Sequence, residues 1–192
     1  MYKLFLKRVL GFLLSLIALV LLSPLFLIVV FLIKIDSKGP VFYLQTRVGR
    51  NMNKFSLYKF RTMTNKKRDP SKEQTFKDNP EITRIGYYLR RFKIDELPQL
   101  INILKGDMSI VGPRPALPEL YEQYGEQAKV RLAVRPGLTG LSQINGNIYL
   151  TWEERFVYDG KYIDSLSFWE DVRIIAKTVL IVLFGEEKFL RK

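Results

Sequence analysis

Between Arg8 and Lys34 the chain carries no charge over 25 residues, Val9 to Ile33. A helix of that length can cross a bilayer core. It exceeds the apolar core of a secretory signal, and Lys34-Ile35-Asp36 offers no small-residue cleavage site, so the segment is expected to stay in the mature protein. Ser23-Pro24 interrupts it. Pro24 lacks an N–H and its ring collides with the preceding turn, which predicts a kink or break, while the Ser23 hydroxyl can serve a carbonyl that the proline leaves free. Lys3, Lys7 and Arg8 precede the run, and Lys34, Lys38, Arg47 and Arg50 follow it. With cations at both ends, the charge rule for a crossing helix favours neither orientation. A helix–break–helix that dips into the bilayer and returns is the reading adopted, with a kinked spanning helix as the alternative. Residues 1–36 are assigned to this membrane segment and 37–192 to a domain on its cytoplasmic side.

Beyond Gly39 the pattern changes to that of a water-soluble α+β domain. Val41-Phe42-Tyr43-Leu44 and Phe55 to Phe60 read as strands of a small hairpin turning at Gly49 to Asn53. Residues 65–80 are charged and irregular, a loop. Helices are expected over Ile82–Arg91 (Ile85 and Leu89 on one face), Leu97–Leu104 closed by Lys105-Gly106, Pro118–Leu132 on the surface, and Trp152–Ile163. A last helix, about 167–184, repeats Phe168, Val172, Ile175, Val179 and Val182 at helical spacing, with Glu170, Asp171, Arg173 and Lys177 opposite. A core helix and an amphipathic helix lying on the bilayer fit this pattern equally.

Lys and Arg number 31 against 19 Asp and Glu, a formal charge of +12, which draws anions such as nucleic acid, anionic lipid or phosphorylated substrates. Cysteine and histidine are both absent. Disulfides and thiolate metal sites are thereby excluded, and so is the usual neutral-pH base. Chemistry falls to carboxylates, hydroxyls, amines or a bound metal.

Lys93-Ile94-Asp95-Glu96-Leu97-Pro98-Gln99 is the most informative stretch. Proline fits a helix only in its first turn, so a helix start is expected near Asp95, where adjacent carboxylates would meet backbone N–H groups and the positive end of the dipole. Such acids are commonly mere caps. Around them stand Arg90 and Arg91, the Pro113-Arg114-Pro115 element, Tyr58-Lys59-Phe60-Arg61 and Arg135-Pro136-Gly137, each offering cations suited to phosphate.

These motifs resemble those of the bacterial sugar transferases, the monotopic polyprenyl-phosphate phosphoglycosyl transferases. The resemblance runs from Ser23-Pro24 through Tyr58-Lys59-Phe60-Arg61-Thr62-Met63, Asp95-Glu96-Leu97-Pro98-Gln99 and Leu104-Lys105-Gly106-Asp107-Met108-Ser109. It continues to Val111-Gly112-Pro113-Arg114-Pro115, Arg135-Pro136-Gly137-Leu138-Thr139-Gly140 and Gln143-Ile144-Asn145-Gly146. It implies a small catalytic form at the cytoplasmic face of the bacterial inner membrane. The implied reaction moves a sugar phosphate from a UDP-sugar, an N-acetylated amino sugar or a hexose, to polyprenyl (undecaprenyl) phosphate, with release of UMP. Asp95 would be the nucleophile and Glu96, with Asp95, the holder of Mg²⁺. Lys59, Arg61, Arg90, Arg114, Arg135, Gln143, Asn145 and Asp159 would bind substrate and its phosphates. The partners implied are donor, lipid acceptor and bilayer, not nucleic acid.

Two positions depart from the family. Lys93 stands where a Ser or Thr often precedes the dyad, and Asn147 where an Arg often follows Asn-Gly. Three other readings compete: a basic protein bound to anionic lipid or nucleic acid by charge alone, an inactive scaffold of the same fold, and a one-step enzyme in which Asp95 only binds metal.

Overall fold

The computed structural model describes residues 2–64 and 79–185. The loop expected over 65–80 falls, up to residue 78, outside the described residues. A π-helical turn, Tyr2–Leu6, leads into α1 (Lys7–Leu21), and α2 (Ser23–Asp36) follows after a bend of 62°. Pro24 stands at the start of α2, and the carbonyl its missing N–H leaves free is that of Val20. Ser23 Oγ donates to that carbonyl at 2.8 Å. Among the described residues no single helix is long and apolar enough to cross a membrane, whereas α1 and α2 together are. Both helices leave a row of large apolar side chains on the surface, Phe12, Ile17 and Leu21 on one and Leu27, Phe31 and Ile35 on the other.

The opposite faces are packed on the rest of the molecule. Ala18, Leu19 and Leu22 meet Leu57, Leu100 and Ile103, while Val29 and Ile33 meet Phe60 and Leu89. The helical pair is therefore built into the domain's own core. Arg61 completes the join: its guanidinium donates to the carbonyls of Ile33, Ser37 and Lys38 at 3.4, 2.6 and 3.0 Å, capping the end of α2.

β1 (Phe42–Val48) and β2 (Lys54–Phe60) form the expected antiparallel hairpin, in register from Phe42 opposite Phe60 to Val48 opposite Lys54. The turn between them, Arg50–Met52, places Asn51 and Met52 at positive φ. Next come α3 (Arg84–Arg91), capped by Thr83 Oγ1 on the Gly86 N–H at 3.0 Å, a 3₁₀ turn at Ile94–Glu96, and α4 (Gln99–Lys105), ended by left-handed Gly106. The expected helix start near Asp95 takes the form of this 3₁₀ turn, which passes through Leu97 and Pro98, both in the right-handed helical region, into α4.

β3 (Ser109–Val111) follows, then α5 (Pro118–Tyr124), α6 (Glu126–Lys129) and a 3₁₀ turn at Val130–Ala133. The single surface helix expected over Pro118–Leu132 is broken at Gly125, whose φ of +52 suits glycine. Its outer face, with Glu119, Glu122, Glu126 and Lys129, is exposed as expected, while Leu120, Tyr121, Ala128 and Leu132 are buried with Val48, Ala116 and Phe156. β4 (Gly137–Thr139) pairs in parallel with β3, a second sheet absent from the sequence reading. Its backbones approach so closely that a Cβ on Gly137 would lie 2.1 Å from the Gly112 nitrogen.

α7 (Leu141–Ile144), α8 (Trp152–Ser165) and α9 (Phe168–Phe184) complete the chain. α8 starts on a capping box, Thr151 with Glu154. α9 joins both readings of its pattern. Ile174 and Ile181 sit in a core with Val111, Ile144 and Tyr162, while Trp169, Val172, Leu180 and Leu183 are exposed. Asp171, read as part of the polar face, is buried instead: Tyr162 OH donates to it at 2.7 Å, and Lys7 and Tyr2 from the chain's beginning hold its other oxygen.

Candidate active site

The 3₁₀ turn Ile94–Glu96 is wedged between α3 and β2, and it opens with Lys93 in the left-handed region (φ 56°), unusual for a side chain of that length. There the departure from the hydroxyl common in relatives becomes visible, since Lys93 caps nothing with its side chain. The tight turn buries both carboxylates; Asp95 and Glu96 are each 9% exposed.

Their surroundings differ. Glu96 Oε1 accepts from Lys59 Nζ at 2.8 Å and from Arg114 Nη2 at 2.7 Å, and Oε2 faces Arg114 Nη1 at 3.4 Å. Burial alone would raise the Glu96 carboxyl, but the Arg114 and Lys59 charges outweigh it and hold the group well below the usual range. Burial likewise pushes the Lys59 ammonium below its usual value, against the pull of Glu96. Among the described residues the Asp95 carboxylate accepts no hydrogen bond and makes no ion pair. Burial and then the charge of Glu96 push it up to about 6, with Lys59, Lys93 and Arg90 opposing the rise. Two carboxylates thus face four cations, and the local excess of positive charge suits a diphosphate.

The fold fixes this geometry from several sides. Asn102, fully buried on α4, donates to Ser56 O at 2.8 Å and accepts from the Tyr58 N–H at 3.0 Å, locking β2 and so Lys59 against the acidic turn. Arg131 donates to the Arg114 carbonyl and keeps the Pro-Arg-Pro element in place. The sequence reading missed both; the only local signal was a polar residue inside the apolar Leu97–Leu104 helix.

Of the sequence candidates, Asp95, Glu96, Lys59 and Arg114 come together, with Arg90 near enough to act on Asp95 by charge. The others lie elsewhere. Arg61 caps α2, and Arg135 Nε donates to Gly106 O at 2.8 Å, at the far end of α4. Gln143 and Asn145 donate to the carbonyls of Leu138 and Leu141 at 3.0 and 2.8 Å, and Asp159 pairs with Arg131 at 2.8 Å. These contacts brace the frame of β4, α7 and α8, away from the carboxylate pair. Asn147 stands at positive φ (49°) in the turn before α8.

No three acidic side chains gather into a metal cage among the described residues. The pair present fits a magnesium ion held by one or two carboxylates and completed by substrate phosphate oxygens and water. Lys59 and Arg114 already share Oε1 of Glu96, and Arg114 also faces Oε2, so any ion there would depend on the substrate.

The bacterial sugar transferase family model matches residues 2–185. The chain belongs to that family. This sugar transferase is 46% identical over 162 residues to the uncharacterized sugar transferase EpsL of Bacillus subtilis, an alignment covering 84% of this chain and 78% of that protein. It is 40% identical over 195 residues to the undecaprenyl-phosphate glucose phosphotransferase of Komagataeibacter xylinus, covering 95% of this chain and 37% of the relative. A third relative, the UDP-N-acetylgalactosamine-undecaprenyl-phosphate N-acetylgalactosaminephosphotransferase of Aeromonas hydrophila, is 37% identical over 187 residues, 94% of this chain and 44% of its own length. This chain thus spans less than half of those two larger relatives.

Proposed function

We propose that this sugar transferase moves a sugar 1-phosphate from a UDP-sugar to polyprenyl phosphate through a covalent intermediate on Asp95. The observation that carries the reading is the contrast within the dyad: Glu96 is bound by two cations, while Asp95 is buried beside it with no partner. A carboxylate without hydrogen bonds keeps its oxygen lone pairs available for attack.

In the first step an Asp95 oxygen attacks the β-phosphorus, the bond from that phosphorus to the bridging oxygen breaks, and UMP leaves with the electron pair. In the second, an oxygen of the polyprenyl phosphate attacks the same phosphorus, forming the lipid diphosphate sugar and freeing Asp95. Both nucleophiles are anions, so no base is needed, in keeping with a chain without histidine. Lys59 and Arg114 orient Glu96 and, with Arg90, face the donor's oxygens, where they stabilise charge that develops in flight. Bound magnesium would add neutralisation of the diphosphate.

The bent pair α1–α2 supports a re-entrant anchor that leaves the domain on the cytoplasmic face of the inner membrane, where both substrates are met. An N-acetylated amino sugar is the first donor to test, against glucose and galactose. Mass spectrometry of the enzyme with UDP-sugar alone should show one sugar phosphate on Asp95 and UMP set free before lipid is added. Release of UMP only with lipid present would favour the one-step reading instead. For topology, cysteines placed near residue 2 and at Ser37 should both react only from the cytoplasm; labelling of either from the other side rejects re-entry.

A further inference from the structure

The end of α4 opposite the carboxylates gathers a second group of cations that the reaction above does not use. Arg135 Nε donates to Gly106 O at 2.8 Å. Arg8, in the first turn of α1, lies over the same glycine, its Nη2 3.3 Å from where a Cβ would stand. Arg50 comes from the β1–β2 turn, which packs on the turn Val130–Ala133 just before Arg135. Burial, then the charges of Arg8 and Arg50, pull Arg135 below its ordinary value.

No counter-ion is at hand. Among the described residues none of the three arginines pairs with a carboxylate. The neighbouring acid, Asp107, accepts from Asn102 Nδ2 at 3.2 Å instead. A helix C-terminus offers about half a negative charge. That rationalises Arg135 and Arg8 as caps of α4 but leaves Arg50 and most of the positive charge unbalanced.

The position indicates what balances it. Arg8 is the last charge before the apolar run, and Phe5, Val9 and Phe12 beside it are exposed. On the membrane reading of α1, which this inference rests on, that places the cluster at the depth of lipid phosphates. We propose that Arg8, Arg50 and Arg135 form a binding site for the phosphate of an anionic bilayer phospholipid, separate from the donor site. Guanidinium forks from three elements bind such a group in pairs of hydrogen bonds, and the lipid would tie α1, the hairpin turn and the end of α4 together.

The test compares the full chain in neutral detergent with its R8Q/R50Q variant; Arg135 is kept because it caps Gly106. Binding of short-chain phosphatidylglycerol is expected to weaken roughly 10- to 30-fold in the variant, with R8K/R50K recovering much of the loss. Short-chain phosphatidylcholine and inorganic phosphate should bind the wild type far more weakly. Equal affinity of R8Q/R50Q and wild type for phosphatidylglycerol overturns the site, and inorganic phosphate binding as tightly as the lipid overturns the lipid assignment. Unchanged melting of the lipid-free variant excludes misfolding; if it melts early, binding to R8K/R50K decides, and equal loss there rejects the site as a charge-reading one. Flotation with phosphatidylcholine vesicles separates the premises. If the wild type does not float, the membrane reading itself fails; if both proteins float and bind phosphatidylglycerol alike, only the site fails.

Discussion

Burial pushes up the carboxyls of two interior aspartates, Asp95 at 9% exposure and Asp159 at 1%. Asp159 is answered from within the fold: Arg131 Nε lies 2.8 Å from it, Ser142 Oγ donates at 3.2 Å, and Arg131 in turn lies over the rings of Trp152 and Phe156. Asp95 is answered by nothing of its own and has Glu96, a like charge, at its side. The first arrangement holds helices together. The second leaves a buried anion beside surplus cations, with no hydrogen bond or ion pair of its own among the described residues. Inside one small domain, the two buried carboxylates differ in whether the fold itself supplies their partners.

Replacing each aspartate by asparagine puts that contrast to the sharpest trial. On the proposed mechanism D95N should lower transferase turnover by at least about a thousandfold, since the proposed nucleophile is gone. It should also make the protein more stable. The Asp95 pKa rises from an ordinary 3.8 to about 6, so its ionised form costs stability at neutral pH, up to about 3 kcal/mol for a shift of roughly two units. The gain in D95N is therefore full above about pH 6 and vanishes below about pH 4. Melting curves at pH 7.5 and 4.0, without magnesium, read it directly. A variant that melts below the wild type at pH 7.5 would mean that Asp95 does have a partner.

D159N should do the reverse. It leaves the Arg131 guanidinium, 3% exposed, without a counter-ion, which costs about 3–5 kcal/mol. Chemical denaturation should show that loss, while the fraction still folded forms the sugar-phosphoryl adduct at an ordinary rate. Retained stability with a lost adduct would move Asp159 into the donor site, as the sequence had placed it.

A milder change tests whether the two regions are coupled. Arg131 touches both, pairing with Asp159 and donating to the carbonyl of Arg114. R131K keeps a charge for Asp159 and loses the second bond, so Arg114 should wander from Glu96. The KM for the UDP-sugar should rise about fivefold, the equivalent of one hydrogen bond, with kcat less affected and the wild-type melting behaviour largely kept. Equal falls in stability and turnover, with KM unchanged, would reduce Arg131 to a brick in the core.

Local chemistry made much of this legible in advance. Pro24 announces a break by its missing N–H, and the bend and the Ser23 bond to Val20 follow. Alternation between Phe42 and Phe60 announces the hairpin, and the rare Asp95-Glu96-Leu97-Pro98 string announces the acidic turn. The rest depends on partners far along the chain. β3 and β4 are three residues each, too short for a periodic signal, and pair only because Gly112 and Gly137 let two backbones meet. Asp171 looked solvent-facing because its partner Lys7 is 164 residues away. Arg61, an apparent phosphate ligand beside Lys59, lies just past the end of β2, where the backbone carbonyls that close α2 take its guanidinium.

The smallest change isolates the hydroxyl that completes the Asp159 cluster. S142A removes the bond from Ser142 Oγ to Asp159 Oδ1 but leaves the Arg131 charge in place. A single hydrogen bond to a charged group contributes about 1.5–3 kcal/mol, and at 3.2 Å the lower end is expected. S142A should therefore lose about 1–2 kcal/mol on denaturation, less than D159N, and D159N/S142A should lose no more than D159N alone, because the hydroxyl then has no anion to serve. Additive losses in the double variant would show that Ser142 holds α7 and α8 by packing rather than through the carboxylate. The internal completeness that separates Asp159 from Asp95 would then rest on Arg131 alone.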